Sequence, residues 1–292
     1  MMFLLTDDIF GAKEKMRVMK IFLGGWAGRV RVNEQQREAG MAGRFVWHEL
    51  MTADAPAAAR FYAEVVGWTA RDSGMPGMEY TLLLAGERQA AGLMALTEQA
   101  KAGGAVPGWT GYVAVDDVDA GASRAVSLGG TVCMPPMDIP GVGRFAVVAD
   151  PQGAVIALFS SDGEMPTAPM MAPGSGGWNE LMAADFPSAW PFYEAMFGWA
   201  KGDALDMGPM GTYQLFAVDG VVCGGMMTKP AAMPVPYWGY YFAVEDIDAA
   251  LARAVERGAR VMNGPMEVPG GAWVVQALDP QGAGFALVGM RT

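Results

Sequence analysis

The sequence predicts an α+β protein of two tandem domains, each made of a pair of βαβββ modules. Three observations carry this expectation. The 292 residues suffice for two ordinary cores. One pattern of residues occurs twice along the chain. Each copy runs twice through a strand, a helix and further strands. The composition agrees: 52% hydrophobic and 17% charged residues describe a chain that packs, far from the profile of disorder.

The repeat is explicit. Trp47-His48-Glu49-Leu50-Met51-Thr52-Ala53-Asp54 is matched by Trp178-Asn179-Glu180-Leu181-Met182-Ala183-Ala184-Asp185, with six of the eight positions identical. Phe61-Tyr62 then meets Phe192-Tyr193, and Gly67-Trp68 meets Gly198-Trp199. After small indels Trp109 meets Trp238, Tyr112 meets Tyr241, Asp117-Val118-Asp119 meets Asp246-Ile247-Asp248, and Asp150-Pro151-Gln152-Gly153 meets Asp279-Pro280-Gln281-Gly282. Self-similarity at this spacing marks a duplicated unit. Expected boundaries are a flexible extension over 1–43 without assigned function, a first domain over 44–160, an extended and poorly packing Pro/Gly-rich linker over 161–177, and a second domain over 178–290.

Within the first copy, a strand is expected over Phe45 to Met51. A helix follows, capped by Asp54 and ended by Gly67 in the left-handed conformation. Further strands are expected at Tyr80 to Leu84, Ala91 to Leu96 and Thr110 to Val115. A helix capped by Asp117 and closed by Gly129 comes next, then a hairpin of Phe145 to Ala149 and Val155 to Phe159 around the Asp-Pro-Gln-Gly turn. In the second copy Pro191 falls inside the first helix, so that helix is expected to start late, near Ser188, or to bend.

The 31 acidic residues exceed the 20 basic ones, giving a net charge of -11, and the basic residues form no run able to track a phosphate backbone. No nucleic-acid partner is expected. The two cysteines, Cys133 and Cys223, fall at unmatched places in the repeat, which argues against a disulfide framework and for a cytoplasmic location. No secretory leader and no membrane-spanning stretch is read, so no membrane partner is expected. Phosphate-loop and dinucleotide fingerprints are missing, and one histidine serves two domains, which leaves no serine or cysteine nucleophile with a base.

Paired βαβββ modules, the Phe-Tyr dipeptide, the following Gly-Trp, the opening of the second helix and the Asp-Pro-Gln-Gly hairpin together resemble the vicinal oxygen chelate superfamily of glyoxalases, bleomycin-resistance proteins and dioxygenases. The resemblance covers about 230 of the 292 residues. It implies two glyoxalase-like domains whose modules form open, cupped, mixed β-barrels, each around a cavity. Known members isomerise hemithioacetals, open catechol rings, modify or sequester antibiotics, or bind ligands without turnover.

Catalytic members hold a divalent metal with His and Glu ligands, and the resemblance implies where those ligands would fall. The first-strand position lands on Trp47 and Trp178, the corresponding second-module position on Thr110 and Gly239, and the late-strand carboxylate on Ala157 and Ala286. His48, the only histidine, points to the other strand face, and reads as a partly buried packing residue. No metal and no other cofactor is expected, because a metal needs several ligands in fixed geometry.

The polar groups left on the expected cavity face are Glu49 and Glu180, on the strand parity of Trp47 and Met51, or Trp178 and Met182. A carboxyl in such an apolar wall is a candidate general acid or base for an α-hydroxycarbonyl compound; the competing reading is a glutamate that satisfies backbone amides at a barrel seam. Tyr112 and Tyr241 offer either a hydroxyl to a carbonyl oxygen or core packing. Met75, Met78, Met207 and Met210 read as an adaptable pocket lip or as gap filling. Tyr80, Tyr213, Trp109 and Trp238 complete the expected apolar lining. The Met137–Gly141 and Met266–Gly270 segments are expected to close over the openings, with Arg144 in one copy and Trp273 in the other making the two cavities differ in polarity. The expected partner is a small-molecule ligand or substrate, taken by a monomer or homodimer. Turnover by a glyoxalase-like protein stands beside ligand sequestration and, as a third reading, metal-dependent lyase or dioxygenase chemistry.

Overall fold

The computed structural model describes residues 41–75, 77–163, 168–268 and 270–292. Most of the expected extension, residues 1–40, and Pro166 of the expected linker lie outside the described residues. The first half runs β1 (Phe45–Thr52), α1 (Ala55–Val66), β2 (Thr69–Asp72), β3 (Tyr80–Ala85), β4 (Arg88–Ala95), the short α2 (Glu98–Ala102), β5 (Gly108–Ala114), α3 (Val118–Ser127), β6 (Thr131–Ile139), β7 (Gly143–Ala149) and β8 (Val155–Ser161). The second half repeats it as β9 (Gly176–Ala183), α4 (Phe186–Phe197), β10 (Ala200–Asp206), β11 (Thr212–Val218), β12 (Val221–Thr228), β13 (Tyr237–Asp246), α5 (Ile247–Glu256), β14 (Arg260–Glu267), β15 (Trp273–Leu278) and β16 (Gly284–Met290).

Each half forms one eight-stranded mixed sheet, in the orders β2-β3-β4-β1-β5-β8-β7-β6 and β10-β11-β12-β9-β13-β16-β15-β14. Both sheets are open, with β1 and β9 near their centres. Each of these strands is parallel to one neighbour, β4 or β12, and antiparallel to the other, β5 or β13. The Trp-x-Glu-x-Met strand of each repeat therefore runs down the middle of its cup.

Local chemistry sets the helices. Asp54 accepts a hydrogen bond from the Ala57 amide, Pro56 sits in the first turn where its missing N–H costs nothing, and Gly67 ends α1 at φ 87. In the second copy Asp185 caps α4 through the Ser188 amide, and the helix starts at Phe186, earlier than Pro191 led one to expect. Pro191 removes one hydrogen bond near the N-terminal turn; burial of Trp190, Phe192, Tyr193 and Met196 around it offsets that loss.

The helix-side faces of the two sheets share one hydrophobic core, in which Leu50, Tyr62, Trp68 and Trp109 of the first half join Tyr193, Trp199, Trp238 and Phe242 of the second. Helix α1 packs on α5 and α3 on α4, with matched bridges: Arg253 Nε donates to the Glu64 carbonyl at 2.6 Å, and Arg124 Nε to the Ala195 carbonyl at 2.8 Å. The C-terminal end of the expected linker is packed, contrary to expectation: Gly174 and Ser175 are buried, and the Gly174 carbonyl accepts from Trp68 Nε1 at 2.9 Å, while Asp162, Gly163, Pro169, Met170 and Pro173 are exposed. Met137 to Ile139 and Met266–Glu267 likewise belong to the long strands β6 and β14, and only the tight turns after them are loops. Among the described residues no helix is long and apolar enough to cross a membrane.

Candidate functional site

On the concave face of the first sheet, Glu49 stands opposite Gly92 of β4 and Thr110 of β5. Tyr112, two residues further along β5, donates its hydroxyl to Glu49 Oε1 at 3.0 Å. Tyr80 reaches the same carboxyl from β3 and accepts from Trp47 Nε1 at 3.0 Å. Tyr80 gets there because residue 92 is glycine, since a Cβ at that position would occupy the space of the Tyr80 hydroxyl.

The second half repeats the cluster. Tyr213 donates to Glu180 Oε1 at 2.9 Å and accepts from Trp178 Nε1 at 2.8 Å, and Tyr241 donates to Glu180 Oε2 at 2.8 Å. Gly225 opens the passage for the Tyr213 ring as Gly92 does for Tyr80. Gln276 adds a member without counterpart, donating Nε2 to Tyr241 Oη at 2.6 Å and to Glu180 Oε2 at 3.2 Å. The glutamates are thus held by tyrosine hydroxyls, which corrects the seam reading in which backbone amides satisfied them.

Burial is the main cause of the electrostatics. It pushes both carboxyls above the usual glutamate range, and the tyrosine hydrogen bonds pull back against it. Burial also drives Tyr80, Tyr112, Tyr213 and Tyr241 well above the ordinary phenol value, helped by the adjacent carboxylate, so these hydroxyls stay protonated as donors.

Of the expected lining, Trp47, Met51, Tyr80 and Tyr112 gather around Glu49, and Trp178, Met182, Met210, Tyr213 and Tyr241 around Glu180. Met78 is instead 44% exposed. Trp109 and Trp238 are corrections: strand alternation turns them away from Thr110 and Gly239 into the shared core, where their indole N–H groups bond Tyr62 and Tyr193 at 2.9 and 3.1 Å.

Arg144 and Trp273 are corrections for the same reason. Each lies three residues from the positions that face the glutamates, hence on the other side of its strand. Arg144 is engaged by Asp119 and Asp138 at 2.7 and 2.6 Å, and Trp273 lies under the Arg291 guanidinium at 3.6 Å from the ring centre. Neither glutamate lies on the two depressions that stand out, about 290 and about 120 Å³. The larger is lined by Arg60, Glu64, Arg257 and Gln281 at the α1–domain boundary. Where open cavities were expected, tyrosine hydroxyls occupy the carboxyl oxygens and tryptophan N–H groups bond those hydroxyls. Sequence reasoning missed Gln276, Tyr237, Gly92 and Gly225; a glutamine inside the apolar run Val274-Val275-Gln276-Ala277-Leu278 was the available signal.

Residues 44–158 and 177–287 each match the family model described as Glyoxalase/Bleomycin resistance protein/Dioxygenase superfamily. The provisionally named glyoxylase CFP32 of Mycobacterium tuberculosis (strain CDC 1551 / Oshkosh) is 33% identical over 245 residues, covering 83% of this chain and 93% of that protein. The anthracycline biosynthesis protein DnrV of Streptomyces peucetius is 37% identical over 270 residues, covering 84% and 92%. Among solved structures, the Mn(II)-bound glyoxalase from Novosphingobium aromaticivorans superposes with a TM-score of 0.57 at 15% identity, covering 87% of this chain and 84% of that one.

The residues present here do not fit such a metal. Trp47, Thr110 and Ala157, or Trp178, Gly239 and Ala286, stand at the implied ligand positions. The one carboxyl nearby is occupied by tyrosine hydroxyls, and the described residues hold no group of three or more His, Cys, Asp or Glu able to grip an ion.

Proposed function

The chain belongs to the glyoxalase/bleomycin resistance protein/dioxygenase superfamily, and from that premise we propose that it acts on a small carbonyl or α-hydroxycarbonyl compound, using a glutamate and tyrosine hydroxyls where relatives use a metal. The observation that carries this reading is the twice-built cluster of one buried carboxyl, two tyrosine hydroxyls and an indole N–H on the concave sheet face. The names of the two relatives, one a glyoxylase and one a protein of anthracycline biosynthesis, support small-molecule chemistry.

A carboxyl pushed upward by burial exchanges protons closer to neutral pH than an exposed one, as a general base requires. In an α-hydroxycarbonyl compound Glu49 takes the proton from the hydroxyl-bearing carbon, and the C–H electron pair moves toward the carbonyl to give an enediolate that Tyr112 hydrogen-bonds. Return of that proton to the neighbouring carbon, with the hydroxyl proton passing from the first oxygen to the former carbonyl oxygen, completes an isomerisation. One carbon is oxidised and its neighbour reduced, so no external oxidant enters.

A second reading, capture of the same class of molecule without turnover, is favoured by the complete hydrogen bonding of Glu180 in the structure. Purified protein stripped with a chelator is offered the glutathione hemithioacetal of methylglyoxal and 2-hydroxyacetophenone, beside a Glu49→Gln, Glu180→Gln double variant. Turnover by wild type and its loss in the variant are expected. Thermal stabilisation by these compounds without turnover would favour capture. Stoichiometric divalent metal in protein purified without added metal would overturn the metal-free reading.

A further inference from the structure

We propose that a ligand enters only the N-terminal half, at Glu49, and that the C-terminal half holds a copy of the site filled by its own side chains. This rests on reading the Glu49 and Glu180 clusters as ligand sites. Five pairs of equivalent positions separate the halves. Across from Met182 stands Tyr237, whose ring packs with Met182, Met227 and Met233 and lies 3.6 Å from where a Cβ on Gly239 would be. Across from Met51 stands Gly108, where an added Cβ meets nothing closer than a backbone oxygen at 3.9 Å.

Gln276 caps Glu180 and Tyr241 in the second half; the first has Val147 there, which pairs with Ala157 as Gln276 pairs with Ala286. Met182 and Met227 are 7% and 3% exposed, whereas their equivalents Met51 and Met94 are partly open to solvent. Met210 packs into the second cluster, but its counterpart Met78 is 44% exposed.

The accessible half also defines its ligand. Trp47, Met51 and Met94 offer apolar surface, while Glu49, Tyr112 and Thr110 offer hydrogen bonds at one end. The arginines flanking this face are engaged elsewhere: Arg44 is bound to Asp219, and Arg144 to Asp119 and Asp138 on the other side of its strand. A flat, uncharged aromatic carbonyl compound fits this pattern.

The test titrates the intact protein with 2-hydroxyacetophenone by calorimetry and tryptophan quenching, and separately maps methionine oxidation by hydrogen peroxide in unliganded wild type. We expect one molecule bound per chain. Gly108→Tyr, which copies the second half into the first, should weaken binding at least about tenfold, whereas Gly108→Ala should not. Tyr237→Gly with Gln276→Val should raise the stoichiometry to two per chain. Met51 and Met94 should oxidise faster than Met182 and Met227, a comparison that needs neither a ligand nor a variant. Two molecules bound by wild type, binding that survives Gly108→Tyr, or equal oxidation of the paired methionines would overturn the asymmetry alone. No binding by wild type or by the opened variant would overturn the reading of the clusters as ligand sites, and this proposal with it.

Discussion

His48 Nε2 and Asn179 Oδ1 lie 3.1 Å apart, although the two residues occupy the same place in the two repeats. Equivalent residues of a duplicated unit meet only on the local two-fold axis, so this pair marks where β1 and β9 face one another across the shared core. Asn179 Nδ2 donates to the Cys223 carbonyl, which leaves Oδ1 as the acceptor and sets the proton of a neutral His48 on Nε2. Phe45, Tyr240 and Phe242 surround the ring.

That setting makes the fold acid-sensitive. Burial lowers His48 from 6.5 to about 4, against the partial support of Asn179. Between these values the unfolded chain binds a proton that the folded one refuses, so the contribution to stability is present above about 6.5 and is lost progressively as pH falls toward about 4. The loss amounts to at most about 3 kcal/mol. Glu49, Glu180 and Asp279, whose carboxyls are raised, act in the opposite sense, so the histidine is isolated by difference. Urea midpoints of wild type and His48→Gln should diverge as pH rises through this window; a pH-independent gap would refute the assignment.

The second prediction concerns the tyrosine of each Phe-Tyr pair. Tyr62 donates to Asp279 Oδ2 at 3.1 Å and Tyr193 to Asp150 Oδ2 at 2.9 Å, so each half's helix is tied to the other half's hairpin turn. Tyr62→Phe leaves both Asp279 and the Trp109 indole N–H without that partner in the core. Each such variant should cost roughly 1–3 kcal/mol. Because the bond crosses the halves, unfolding followed by near- and far-ultraviolet dichroism should remain one cooperative transition at a lower midpoint; an unchanged midpoint would show that the bond carries no stability.

The fold was legible because its signals are local: caps at Asp54 and Asp117, closing glycines at 67 and 129, and a hairpin turn, all found twice. Pro191 misled, since burial around α4 outweighs one missing hydrogen bond. At the site, period-two alternation picked out Glu49, Trp47 and Met51 on β1, and the same rule, applied to Trp109, Trp238, Arg144 and Trp273, would have sent them to the other face. Tyr80 and Tyr213 were expected as lining, but their bonds to the glutamates depend on Gly92 and Gly225, each on the strand after the tyrosine's own, a through-space relation that no local pattern records. The packing of Gly174 and Ser175 was hidden for a similar reason, because a Pro/Gly-rich composition does not reveal that Trp68 and Ala243 wait to bond it.

A third prediction separates function from stability at Glu180. Its carboxyl is raised by burial, so the charged form is the disfavoured one in the fold; its contribution is best below the unfolded glutamate value and declines as pH rises through the folded one. Glu180→Gln removes the charge and keeps an oxygen for one of the two tyrosines, while its NH2 can donate to the hydroxyl oxygen of the other. The variant should therefore be more stable than wild type at neutral pH, on the order of 1–2 kcal/mol, with the difference shrinking in acid. Differential scanning calorimetry across that range checks it; a destabilised variant at neutral pH would mean that the carboxylate itself holds the cluster together.

The last prediction tests the passage that lets the tyrosines reach the glutamates. A Cβ on Gly225 would overlap the Tyr213 ring, and one on Gly92 the Tyr80 hydroxyl. Neither glycine has a positive φ, so alanine is compatible with the backbone and the effect comes from the side chains packed there, the Tyr213 ring at Gly225 and Tyr80 with Trp47 Nε1 behind it at Gly92. Overpacking of this kind costs roughly 1–3 kcal/mol. It is relieved by lifting the tyrosine, which breaks its bonds to the glutamate and to Trp47 or Trp178. Gly92→Ala and Gly225→Ala should therefore alter tryptophan fluorescence and lower the melting temperature, while Gly92→Ala combined with Tyr80→Ala should recover stability relative to Gly92→Ala alone. If the second substitution adds its own full cost instead, the glycines serve some need other than the tyrosine, and the cluster is not built on them.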